Sequence, residues 1–394
     1  MAANPVNAEE SRFATLLNLP LSSAPGVLIS IALHVMRCGQ FAPTANNVGR
    51  AAIMAHSLRI YGPLTTFLTD GLHDDRASLD PLDKFGTSGV TTGLNLALEM
   101  NQLRLLVQWQ TETHRLFSRS EEVTHLWQVL MVEEALKTPF LMHGILAVSA
   151  LHLSLSEVET HKAFWLGLAT AHKGQALHSF REQLQNITSA NAKAMLGFAG
   201  LVVAFAFGSA LTGVEDADHP SLDALINVFV LCRGIQDITN TACTFLRQSS
   251  FAPLLSPGRP AASIPDRVKE SLDQLDHLNT VCALGGQHDP SIYGKVVEDL
   301  RELSVYTYAQ PTSMTLAAGW AIRAPSRYLE YVRTKEPFAL VVHAHYCAFL
   351  HLARQNPFIQ SWGSCVLRDI CSLLGSDWRP HLTWPVSEVF GENL

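Results

Sequence analysis

The sequence predicts an all-α fold, built as one large multi-helix bundle. Apolar residues recur at helical spacing from about residue 96 to the C-terminus. No convincing run alternates as a strand does, and no fixed-period repeat is present. Hydrophobic residues make up 47% of the 394 and charged residues only 16%, enough apolar material for a sizeable core and too little charge for a coiled coil.

The elements follow in order. Leu103, Leu106, Val107 and Trp109 begin an amphipathic helix that continues to Leu116 and Phe117. Residues 121–136 form a second. Thr138-Pro139 is a helix start, because threonine caps and proline is tolerated at the first helical position, where its missing N–H would have no partner anyway. The helix over 140–155 is apolar nearly all round and belongs in the middle of a bundle. A longer amphipathic helix covers 161–186. Residues 195–214 carry no charge and are long enough to cross a bilayer. Their glycines and alanines allow close packing, and the acidic Glu215, Asp216 and Asp218 follow, so the expectation is a buried core helix and no membrane span.

Pro220-Ser221 opens a helix over 222–235, expected to break near Gly234. A Pro- and Ser-rich loop spans 250–265. Helices are expected at 268–284 and 293–308, then one opened by Pro325 through Tyr328 and Tyr331, then 338–353 and 362–374. Trp378, Trp384 and Pro385 close the chain as packing anchors. Residues 1–95 read differently, with apolar stretches at 27–38 and 46–61 and a linker-like segment at 73–93. The expected division is an N-terminal region over 1–95 and a helical domain over 96–394.

The net charge is −7, and the first hundred residues offer only Arg12, Arg37, Arg50, Arg59, Arg76 and Lys84, scattered among at least as many acids. A phosphate-gripping surface needs concentrated basic residues, so direct DNA binding is not expected. No secretory leader is read at the start. The seven cysteines are widely spaced, which suits reduced thiols in the cytosol or nucleus, and none shows the Cys-x2-Cys spacing of a structural zinc site. There is no Gly-rich phosphate loop, no His-Glu-x-x-His and no G-x-S-x-G; Phe207-Gly208-Ser209-Ala210 lacks the glycine spacing. His343, Cys347 and His351 share a helix face at steps of four and could meet a metal, but packing of an apolar helix is the preferred reading. His143 and His152 read as core residues, and Cys365 has no base tied to it by sequence. No enzyme, no metal and no cofactor is expected.

The order of motifs is informative beyond this. The run from Pro139 through His143, Gly144 and Ser149 to His152 and Leu153 is followed by Ala169, His172, Ala176, Leu177 and Phe180. Then come Arg233-Gly234; Trp320, Pro325 and Tyr328-Leu329; Pro337-Phe338-Ala339-Leu340 leading to Ala344-His345-Tyr346; Trp362-Gly363; and Trp378 with Trp384-Pro385. Over about residues 100–390 this set resembles the regulatory domain of fungal zinc-cluster transcription factors, of the sterol-uptake-control type. The resemblance implies a nuclear transcription regulator, of the kind that controls a biosynthetic gene cluster for a secondary metabolite or a sterol-related product. Its helical domain receives a signal, and in related proteins it can hold a sterol.

A small apolar ligand would then lie among helices 195–214 and 338–353, and the candidate contacts are Met142, Phe198, Phe205 and Phe338. Family members begin with a six-cysteine zinc cluster, whereas Cys38 alone precedes Cys232 here, so zinc-dependent DNA reading is not carried over. The expected partner is a DNA-binding transcription factor or a second copy of the chain. The alternatives are an incomplete sequence whose cluster is encoded upstream, and an enzyme with an unfamiliar helical fold whose support is the His343, Cys347 and His351 face.

Overall fold

The computed structural model describes residues 99–391, apart from 185, 214–219, 256–257, 259, 261 and 286–287. The apolar stretches and the linker expected within 1–95 lie outside the described residues. Among those described, all regular structure is helical.

The first half is arranged around one central helix. Helix α1 (Met100–Thr111) passes into a 3-10 turn at Thr113–Phe117. The helix expected over 121–136 is α2 (Glu121–His125), a π-helical turn (Leu126–Leu130) and α3 (Met131–Ala135). Ser120 caps it, its hydroxyl accepting the Val123 N–H at 3.2 Å. Helix α4 (Pro139–Ser156) has Pro139 in its first turn, but the Thr138 hydroxyl makes no capping bond. Its residues from Gly144 to Ser154 are all buried. Helices α1, α3, α5 (Glu159–Gln183) and α6 (Ala192–Ser209) pack around it.

Close approach explains the small residues. A Cβ on Gly144 would lie 2.7 Å from the Phe198 ring, and one on Gly208 would lie 2.7 Å from Phe358. Helices α4 and α6 are long and apolar enough to cross a bilayer, yet 72% of each is buried against other helices, which marks them as core helices.

Helix α7 (Leu222–Arg247) joins the halves by packing on α6 and on later helices. It corrects the expected break at Gly234. One interior glycine costs about 1 kcal/mol in helix propensity. Burial of Ile238, Ala242 and Leu246 beyond it outweighs that cost. The start of α7 is fixed twice. The Ser221 hydroxyl accepts from Ala224 N at 3.2 Å, and the Asp369 carboxylate accepts from Leu222 N at 2.9 Å. Ser221→Ala should cost about 1 kcal/mol in urea denaturation, because one of these orphan donors loses its partner.

The second half surrounds α13 (Pro337–Leu352), which is buried without interruption from Phe338 to Leu350. Against it pack α9 (Pro290–Ala309), α12 (Ser326–Arg333), α14 (Trp362–Leu373) and α15 (Thr383–Phe390). Helix α8 (Asp266–Ala283) lies on α9. The short α10 (Met314–Ala317) and α11 (Gly319–Arg323) escaped sequence reading, as did the helicity of the tail, a 3-10 turn at Ser376–Leu382 running into α15.

The two halves are stapled by Asn356, which is fully buried. Its amide donates to Leu116 O at 3.2 Å and Thr312 O at 2.7 Å, while its carbonyl accepts from Phe358 N at 3.0 Å. A buried amide with its groups satisfied fixes one arrangement of the three chain segments.

Candidate functional site

The four residues expected to contact an apolar ligand fall into two regions. Phe198 sits at the centre of an aromatic triad in the first half, 5.5 Å from Phe140 and 4.7 Å from Phe180 between ring centroids. Phe205, two turns further along α6, lies under the Lys173 ammonium, 4.7 Å from its ring centroid. Met142 is half-buried on α4, which packs on α6. Phe338 belongs to the other half, against Tyr293 at 4.7 Å and His288 at 5.0 Å. Helices α6 and α13 do not form a packed pair, so the structure groups Met142, Phe198 and Phe205 and sets Phe338 apart.

Two surface clefts lie elsewhere. One of about 300 Å³ lies between the start of α2, the loop near Pro253 and the end of α9, and is lined by Arg119, Tyr306 and Leu316 among others. A second, of about 210 Å³, lies at the start of α7 beside Asp369 and Lys335. None of the four expected residues lines either cleft. Arg119 and Asn356 were not singled out by sequence, since each sits in a polar loop whose partners come from far along the chain.

Of the His343, Cys347 and His351 face, the first two are packed into the interior and His351 is half-buried. His343 is fully buried, with ring centroids of Phe229 at 5.2 Å and of Trp320 and Tyr346 at 5.8 Å. The Tyr328 hydroxyl donates to Ala339 O at 3.2 Å and lies 3.3 Å from His343 Nδ1. Burial pushes the His343 imidazole down to about 3, so it is neutral, and pushes the Cys347 thiol well up. Both reactive groups are therefore held in their uncharged forms. Gly363 of α14 lies directly over this stretch of α13. Among the described residues, no three His, Cys, Asp or Glu side chains converge as metal ligands.

His152 and His172 are also buried, and His143 is half-buried. His152 Nδ1 lies 2.9 Å from the Thr113 hydroxyl, and burial lowers its pKa to about 4. His143 and His172 meet Nδ1 to Nδ1 at 2.9 Å, a hydrogen bond that needs one ring to donate and the other to accept. Burial lowers the pKa of both.

Residues 104–208 match the fungal specific transcription factor domain, a segment running from α1 to the end of α6. Over that segment the chain is similar to the family defined by that domain. It is also similar to Sterol uptake control protein 2 of Candida albicans (strain SC5314 / ATCC MYA-2876), at 30% identity over 115 residues. That match covers 29% of this chain and 15% of the relative.

Proposed function

We propose that this chain is a non-catalytic transcription regulator that acts in the nucleus. Its helical domain relays a small-molecule signal to the expression of a biosynthetic gene cluster, for a secondary metabolite or a sterol-related product. The match of α1 to α6 to the transcription factor domain carries this reading. The neutral, packed state of His343 and Cys347 supports a structural role for the groups that would otherwise suggest chemistry. With a net charge of −7, the chain reaches promoters by pairing with a DNA-binding transcription factor.

Chromatin immunoprecipitation of the tagged protein, followed by sequencing, tests this reading. Enrichment at discrete promoters is expected, and it should disappear when the DNA-binding partner is deleted. Uniform background from a well-expressed protein would overturn the promoter-bound role.

A further inference from the structure

The 300 Å³ cleft holds a cation, Arg119, that forms no ion pair with the described residues, Glu122 of the same wall included. Arg119 precedes α2, and one end of its guanidinium is spent on the turn that follows α7. Its Nη2 donates to Pro253 O at 2.6 Å and to Leu254 O at 3.1 Å. These carbonyls fix the plane of the group without neutralising it. Burial pushes its pKa down, and the opposing influence is Tyr306 rather than a carboxylate. Its other N–H groups make no hydrogen bond to the described residues and are not among the sealed, unpartnered atoms, and Arg119 lines the cleft.

A partly buried charge of this kind favours an anion, and guanidinium N–H groups match the two oxygens of a carboxylate. The rest of the wall limits the ligand. Val123, Pro253 and Leu316 are apolar, Ser120 and Gln310 add hydroxyl and amide groups, and Glu122 brings a negative charge. One arginine beside one glutamate suits a single negative charge better than a phosphate. The volume is at the lower end for a ligand site, which suits a short molecule.

We propose that this cleft binds a small monocarboxylate with an apolar body, its carboxylate paired with Arg119. The site is separate from the apolar interior around Phe198 and Phe205. It deepens the signal-receiving part of the proposed function, but its binding test does not depend on transcription.

Sodium decanoate below its micellar range is the probe, added to the full chain and followed by thermal unfolding and titration calorimetry. Decanol and inorganic phosphate are the controls. Decanoate should raise the unfolding midpoint by a few degrees through preferential binding to the folded state, and neither control should. Arg119→Gln should weaken decanoate binding by roughly tenfold or more, because it removes the charged partner. That variant also weakens the tie to Pro253 and Leu254, so a second one is needed. Ala309 lines the same cleft and is half-buried, and Ala309→Glu sets a competing carboxylate there while leaving the Arg119 contacts in place.

Loss of the decanoate response in folded Ala309→Glu supports the site even if Arg119→Gln does not fold. An absent response in the parent chain would overturn the proposal. So would an equal response to decanol or to phosphate, or a full response in Ala309→Glu. Such a failure leaves promoter recruitment untouched, and loss of promoter recruitment leaves the binding result standing.

Discussion

Gly363→Ala is expected to destabilise the fold by about 3 kcal/mol, although alanine is the better helix former. Gly363 lies in the first turn of α14, where that helix crosses α13. An added Cβ would stand 2.5 Å from Cys347 O, 2.6 Å from His351 N and 2.9 Å from His351 Cβ. Two of these are backbone atoms of a fully buried helix, so no flexible side-chain end can move aside. The two helices would have to separate, opening space around Trp362, whose indole N–H donates to Phe207 O at 3.0 Å. That bond ties α14 to α6, so the damage should spread between the halves.

Gly234 in α7 is the internal contrast. Nothing lies within 4 Å of a Cβ built there. Gly234→Ala should therefore stabilise by about 1 kcal/mol, the propensity gain alone. Urea denaturation of both variants at unchanged slope gives the comparison. A neutral Gly363→Ala would mean that the crossing is looser than the geometry has it.

The same two glycines show what the sequence made legible. The uncharged stretch that became α6 and the run that became α13 were readable because their apolar residues surround the whole helix, and only a central position can bury that. Gly234 was misread as a stop, because a lone glycine signals a helix end or a close approach equally well until its surroundings are known. The π-helical turn at Leu126–Leu130 and the short α10 and α11 have no periodicity of their own to read.

For the site, sequence could nominate only large apolar residues. Phe198 fills a core triad and Phe338 another cluster; a ring that lines a ligand and a ring that fills a core look alike in one dimension. Arg119 carried no signal at all, because the carbonyls that orient it belong to Pro253 and Leu254 and the cleft closes with residues of α9.

Acidification should unfold this domain near about pH 5, and replacing His343 should blunt the response. Among the buried imidazoles, three are pushed furthest toward their neutral forms. Burial is the main cause in each case, bringing His343 to about 3 and His345 and His152 to about 4, against an ordinary value of 6.5. His345 is further locked as a neutral tautomer. Its Nδ1–H donates to Val341 O at 2.8 Å, which leaves Nε2 to accept from the Ser271 hydroxyl at 2.9 Å.

The unfolded chain takes up these protons first. Stability is therefore complete above pH 6.5 and falls as pH drops from there toward the folded values of about 4 and about 3. Each histidine should cost about 2 kcal/mol by pH 5, so the three together approach the whole stability of a typical domain.

His343→Phe isolates one of the three. A ring of similar size replaces the imidazole among Phe229, Trp320 and Tyr346, and the Tyr328 hydroxyl keeps its bond to Ala339 O. Chemical denaturation at a series of pH values should give a slope shallower by about 1.4 kcal/mol per pH unit than in the parent chain, the signature of one proton fewer. Equal slopes in two folded proteins would show that His343 is protonated in the native interior or does not titrate in this range. The acid sensitivity would then belong to other groups.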